Sequence, residues 1–130
     1  KKLRTAGDLM LVKNRIPFVN ENETMKNALK ILNKKKLGFL TVINKQKLTT
    51  GIFTDGDLKR LMQKKKKFEN YMIKSFMTKN PYIVEENTLA TEVLYQMNKR
   101  KITGVCVYKK NNKRNTIGVI HIHSLINVLK

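Results

Sequence analysis

Thiols are nearly absent from this chain. Its 130 residues include one cysteine, Cys106, so an internal disulfide framework and a multi-cysteine metal site are excluded. Cys106 sits in the apolar run Gly104-Val105-Cys106-Val107-Tyr108, where it reads as a buried thiol rather than a ligand or nucleophile. No apolar stretch approaches the roughly 20 residues that cross a bilayer. The opening Lys1-Lys2-Leu3-Arg4-Thr5 has no initiator Met and leads into no signal-peptide core. The expectation is a cytoplasmic chain cut from something longer. P-loop, dinucleotide fingerprint and nucleophile elbow are all missing, so no chemistry of bond making is expected.

Acidic residues are scarce too: 9 Asp plus Glu face 28 Lys plus Arg, for a net charge of +19. Such a field draws anions of every kind, from nucleic acid and anionic lipid to phosphorylated metabolites. Arginine, the usual reader of bases and phosphates, occurs only as Arg4, Arg15, Arg60, Arg100 and Arg114. The lysines are spread along the whole chain, which reads as a solvated surface; a nucleic-acid-binding stripe is the other reading. The densest run, Lys64-Lys65-Lys66-Lys67, reads as an exposed connector. The 41% apolar content is enough for a packed interior.

What is present is a repeat, residues 1–67 and then 68–130. The halves open with Asp8-Leu9-Met10 and Ser75-Phe76-Met77. Each continues with a proline and a short apolar run, Pro17-Phe18-Val19 and Pro81-Tyr82-Ile83-Val84, which predict edge strands because a leading proline forfeits no ladder donor. A helix follows, with Thr24 and Thr88 as expected N-caps. The helical spacing of Met25, Ala28, Leu29 and Leu32, and of Leu89, Val93, Leu94 and Met97, marks core faces. Two strands come next: Phe39 to Ile43 and Leu48 to Phe53 in the first half, Val105 to Tyr108 and Thr116 to Ile120 in the second. A longer loop, Lys109 to Asn115, is expected in the second half. Final helices begin near Thr54 and His121. The predicted fold is α/β in the α+β sense: two β-α-β-β-α repeats paired about a pseudo-twofold axis, so that each covers the other's open sheet.

The sharpest local signal is Gly51-Ile52-Phe53-Thr54-Asp55-Gly56-Asp57, where a strand turns into a helix and leaves N–H groups unpaired. Those donors suit a phosphate, and a carboxylate at Asp57 suits a vicinal diol. Thr54 followed three residues later by an acid is also close to a capping box. Both readings stand, and one residue can serve both. A metal at Asp55 and Asp57 is not expected, since no further oxygen ligands follow. In the second half His121 replaces the threonine and Ser124 the aspartate. His121 is read either as a polar residue opening a helix or as a cation beside a bound anion.

These residues resemble a tandem cystathionine-beta-synthase (CBS) pair, a Bateman module, over essentially the whole chain. Gly51 to Arg60, with Asp8-Leu9-Met10, Lys36-Leu37-Gly38, Met77-Thr78-Lys79-Asn80-Pro81 and Gly118 to Leu125, is more specifically similar to the C-terminal part of bacterial D-arabinose 5-phosphate isomerases. The resemblance implies a regulatory, self-associating and non-catalytic module, stacking head-to-head or head-to-tail. The family's catalysis, in Kdo and hence lipopolysaccharide or capsule synthesis, belongs to a sugar-isomerase (SIS) domain missing here. It implies phosphate and ribose contacts at Thr54 and Asp57. A base end would be lined by Ile16, Pro17, Phe18, Gly38 and Phe39. The implied effector is an adenosine nucleotide or a sugar nucleotide such as CMP-Kdo. With Ser124 where the pattern has an acid, at most one full site per pair is implied.

Overall fold

The computed structural model describes residues 3–130; the expectation drawn from Lys1 and Lys2 lies outside them. In chain order the elements are α1 (Ala6–Leu9), β1 (Phe18–Asn20), α2 (Met25–Lys35), β2 (Phe39–Ile43), β3 (Thr49–Thr54) and α3 (Asp55–Lys64). Then come β4 (Thr78–Lys79), β5 (Ile83–Glu85), α4 (Ala90–Arg100), β6 (Gly104–Lys109), β7 (Asn112–His121) and α5 (Ile122–Leu129). The expected strand-helix-strand-strand-helix order recurs, from β1 to α3 and from β5 to α5, in a mixed α+β fold with two small sheets.

The compact units are cut elsewhere than the sequence repeats of 1–67 and 68–130. Pro17–Pro81 forms one unit; the chain up to Ile16 joins Tyr82–Lys130 in the other. The physical reason is a leader segment that docks beside the helix start of each unit. In the first, Met25 N–H donates to the Tyr71 carbonyl at 2.8 Å, and Ile73 N–H to Glu23 O at 2.8 Å. In the second, Ala90 N–H donates to Arg4 O at 2.9 Å and Ala6 N–H to Thr88 O at 2.8 Å. Orphan helix donors are thus met by a passing backbone.

In the Pro17–Pro81 unit the sheet order is β1-β2-β3-β4. β1 runs parallel to β2 (Phe18 opposite Thr41), whereas β2 and β3 are antiparallel, with Phe39 opposite Thr54. Parallel pairing requires a crossover, which α2 supplies. Leu40, Val42 and Phe53 pack with Met25, Ala28 and Leu32 of α2; alternation turns Phe39, Thr41 and Ile52, also buried, to the opposite face. Burying a Phe of this kind stabilises by about 1.5–3 kcal/mol. The short β2–β3 turn is held by Asn44, whose Oδ1 accepts from the N–H groups of Gln46 and Leu48, both at 3.0 Å. β4 is a two-residue edge strand, with Ile52 opposite Thr78.

In the other unit the order is β5-β6-β7, and Val93 and Met97 of α4 pack with Val105, Val107 and Ile120. Three expectations need correction here. Thr88 does not cap α4: the N-cap is Leu89, and no side chain bonds there, because the backbone of Arg4 takes the Ala90 donor. Leu89 is 41% exposed rather than core, since it lies outside the helical turn that carries the stripe. The loop Lys109 to Asn115 is mostly strand: β6 and β7 turn over Lys110 and Asn111, and Asn111 adopts φ 72°, a left-handed conformation that asparagine tolerates well. Thr24, by contrast, is a working cap whose Oγ1 accepts from Asn27 N–H at 3.3 Å.

Candidate functional site

Pro17, Phe18, Gly38, Phe39, Thr54 and Asp57 gather at one end of the four-stranded sheet. Parallel pairing puts the starts of β1 and β2 at the same end, and antiparallel pairing returns the finish of β3 to it. The Pro17 carbonyl accepts from Thr41 N–H at 2.9 Å, and the Gly38 carbonyl from Asp55 N–H at 2.9 Å. Gly38 has φ 80°, a left-handed conformation that favours glycine; a Cβ there would lie 3.2 Å from Asp55 Oδ2. Phe39 is buried and Phe18 half-buried. Ile16, buried, directly precedes Pro17 but closes the first segment of the other unit.

Thr54 ends β3 in extended conformation and caps α3. Its Oγ1 accepts from Asp57 N–H at 3.0 Å, while Asp57 Oδ2 accepts from Thr54 N–H at 3.0 Å. The capping box is therefore complete, with aspartate in the place glutamate usually holds. The carboxylate is occupied further: Arg60 Nη2 donates to Oδ1 at 2.7 Å, and the Thr78 hydroxyl reaches Oδ2 at 3.3 Å and Oδ1 at 3.5 Å. The Asp57 side chain is 14% exposed and that of Arg60 65%, so their ion pair is screened and contributes little to stability.

The first turn of α3 has four N–H groups to satisfy. Thr54's goes to Asp57, Asp55's to Gly38 and Asp57's to Thr54. The Gly56 N–H is the junction donor that these three bonds do not use. Arg60 lies beside it: its guanidinium nitrogens are 3.4 and 3.5 Å from where a Cβ on Gly56 would sit. Arg60 and Thr78, which bond the Asp57 carboxylate, are not among the site residues the sequence pattern singles out. Arg60 was visible at helical spacing from Asp57; Thr78 carried no local signal, because its approach depends on β4 pairing with β3. A crevice of about 270 Å³ in this unit is lined by Leu29, Leu32, Asn33, Lys36, Gly38, Asp55 and Leu58. It opens beside Asp55, whereas Asp57 turns toward its own helix start.

His121 occupies the corresponding place in the other unit. It ends β7 opposite Gly104 and caps α5, its Nδ1 accepting from His123 N–H at 3.2 Å. Ile122 N–H donates to Thr103 O at 2.9 Å, as Asp55 does to Gly38. The two imidazoles stack with centroids 4.9 Å apart. Burial, and secondly the neighbouring His123, lower the His121 pKa below its usual value. Capping through an unprotonated Nδ1 asks for the neutral ring. Cys106 is buried in β6. Among the described residues no group of three or more His, Cys, Asp or Glu is placed to hold a metal, and no helix is long and apolar enough to cross a membrane.

Comparison with known proteins agrees with this architecture. An uncharacterized protein of Rickettsia prowazekii (strain Madrid E) is 34% identical over 128 residues, 98% of this chain and 37% of that protein. The arabinose 5-phosphate isomerase KdsD of Escherichia coli (strain K12) is 32% identical over 126 residues, 97% of this chain and 38% of the enzyme. The chain thus spans well under half the length of these relatives. Among solved structures, the CBS domain pair of protein MJ0100, in complex with 5'-methylthioadenosine and S-adenosyl-L-methionine, has a TM-score of 0.84 at 23% identity, covering 98% of this chain and 97% of that one. CBSX2 in complex with AMP has a TM-score of 0.82 at 24% identity, covering 97% and 96%. The CBS domain pattern matches residues 6–64 and again 73–130, and the chain belongs to the CBS domain family, as a tandem pair related to the CBS region of arabinose 5-phosphate isomerases.

Proposed function

We propose that this CBS pair is the effector-sensing part of a cytoplasmic D-arabinose 5-phosphate isomerase. It binds an adenosine nucleotide or a sugar nucleotide such as CMP-Kdo, and associates with a second pair. One observation carries the reading: Pro17, Phe18, Gly38, Phe39, Thr54 and Asp57 converge on one sheet end, where the Arg60 guanidinium lies beside Gly56. Phosphate goes to Gly56, Arg60 and the Thr54 hydroxyl, by helix-end and guanidinium chemistry. A ribose diol goes to the Asp57 carboxylate, and the base lies toward Ile16, Pro17 and Phe18. Two proteins of this fold were solved with adenosine ligands, which favours that class. His121 with Ser124 offers no carboxylate, so the pair holds at most one full diol site. An effector alters an attached enzyme only by binding one arrangement of the module better than another.

Calorimetric titration with AMP, ATP, CMP and CMP-Kdo tests this. One nucleotide is expected to bind the wild type, and Asp57→Asn, which keeps a capping oxygen, should weaken it by roughly 10- to 100-fold, the worth of hydrogen bonds to a charged group. Binding by none of them leaves a structural module. Retention of random duplex DNA, falling steeply with salt and indifferent to Asp57, would favour a polyanion binder instead.

A further inference from the structure

Asp57 is already engaged before any ligand arrives. Its two oxygens receive the Thr54 N–H, the Arg60 guanidinium and the Thr78 hydroxyl. A carboxylate accepts at about four lone-pair sites, so two incoming sugar hydroxyls compete with partners already in place. The three incumbents differ. The Thr54 N–H is part of the helix cap, and losing it exposes a backbone donor. Arg60 has a mostly exposed side chain and can swing to a phosphate without leaving the neighbourhood of Gly56. The Thr78 hydroxyl, at 3.3 and 3.5 Å, is beyond the usual 2.7–2.8 Å for O–H···O and is held least tightly.

We infer that the Thr78 hydroxyl occupies the diol position of Asp57 when no ligand is present, and that ligand entry displaces it and loosens β4. This rests on the reading of Asp57 as the diol acceptor. Thr78 is suited to the part because β4 is only Thr78 and Lys79, paired to β3 through Ile52 and Gly51 and otherwise exposed. It is followed by Asn80 at φ 50° and by Pro81, the last residue of the unit. The strand tied to the Asp57 carboxylate is therefore also the segment through which the chain leaves the unit. A sugar at Asp57 is felt first at this covalent exit.

The test uses AMP on wild type, Thr78→Val and Thr78→Ser, by calorimetry and by hydrogen exchange over residues 78–80. Valine keeps the shape and strand preference of threonine without its hydroxyl; serine keeps the hydroxyl. Thr78→Val is expected to bind AMP about two- to tenfold more tightly, the range of one weak hydrogen bond removed from the competition. Thr78→Ser should stay close to wild type. AMP should speed exchange over residues 78–80 in wild type and leave the already faster Thr78→Val unchanged. AMP binding that is the same in wild type and Thr78→Val, or slower exchange in wild type on addition of AMP, overturns the inference and leaves the sensing role intact. Binding to Thr78→Val alone supports it. Failure of AMP and of the other nucleotides to bind either protein removes the sensing role itself, and the inference with it.

Discussion

Replacing Gly51 with alanine probes the packing that holds β4 against the sheet. A Cβ at residue 51 would lie 2.7 Å from the Thr78 carbonyl oxygen, 2.7 Å from Met77 Sδ and 2.9 Å from Met77 Cγ. Side chains can rotate aside, but the carbonyl belongs to the β3–β4 ladder and moves only with its strand. Overpacking of this kind costs about 1–3 kcal/mol, and part of the β4 pairing goes with it, so a loss of about 2 kcal/mol is expected for Gly51→Ala. With an unfolding entropy near 2.1 cal/mol/K per residue, that lowers the midpoint by roughly 7 °C in a chain of this length. Gly118 provides the control. The three nearest atoms there all belong to the Met10 side chain, Sδ closest, with Cγ at 2.5 Å and Cβ at 2.8 Å. Adding Met10→Ala to Gly118→Ala removes the two nearest atoms and leaves the residue 10 Cβ at 2.8 Å, whereas adding Met77→Ala to Gly51→Ala leaves the carbonyl at 2.7 Å, among the closest contacts there. Double-mutant cycles from urea unfolding should show rescue of at least about 1 kcal/mol at the Met10 pair and less at the Met77 pair. A Gly51→Ala loss under about 0.5 kcal/mol, or equal rescue at both pairs, refutes the reasoning.

Two further perturbations separate side-chain roles that the sequence makes look alike. His121 has its folded pKa lowered, by burial first and by His123 second, so the unfolded chain binds more protons as pH falls through the ordinary histidine value near 6.5. Stability from this group is therefore full above that value and declines as the pH drops below it toward the folded pKa. Urea midpoints measured from about pH 8 to pH 5 should fall less in His121→Asn than in wild type; parallel curves would exclude the assignment. Thr24→Ala should cost about 1 kcal/mol as a lost cap, but Thr88→Ala less than about 0.5 kcal/mol, since only the Thr88 backbone is engaged there. Comparable losses in thermal melts of the two variants would contradict the capping assignments.

Side-chain periodicity and caps read from the sequence located the regular elements because local chemistry decides them. The Met25-Ala28-Leu32 stripe, the Asn44 turn and the Thr54–Asp57 spacing each act within a few residues. What escaped was set by distant partners. β4 is two exposed residues, too short for any alternation, and exists because β3 has an open edge beside it. The polar stretch Asn112 to Asn115 has the composition of a loop yet continues a hairpin, with register shifts flanking Tyr108. The Leu89 position failed for the same reason as the Thr88 cap: a backbone carbonyl from Arg4, far off in sequence, defines where α4 starts. At the site, spacing alone does not separate capping from ligand contact, because both readings call on the same Asp57 carboxylate; the structure shows the cap.

The two repeats share a backbone solution and differ in chemistry at its one exposed junction. Asp55 N–H to Gly38 O and Ile122 N–H to Thr103 O are the same bond made twice, both 2.9 Å, so the strand-to-helix geometry does not distinguish the units. The cap does. Thr54 and Asp57 close a box that carries a negative charge at a positive helix end, a favourable arrangement, and Arg60 pairs with that charge at 2.7 Å. His121 caps through a ring nitrogen that must stay unprotonated, at a helix end that disfavours a cation, with Ser124 exposed where the acid would stand. The asymmetry of the pair is therefore chemical rather than architectural: the two junctions make the same backbone bond, and of the two caps only the one at Thr54 includes a carboxylate.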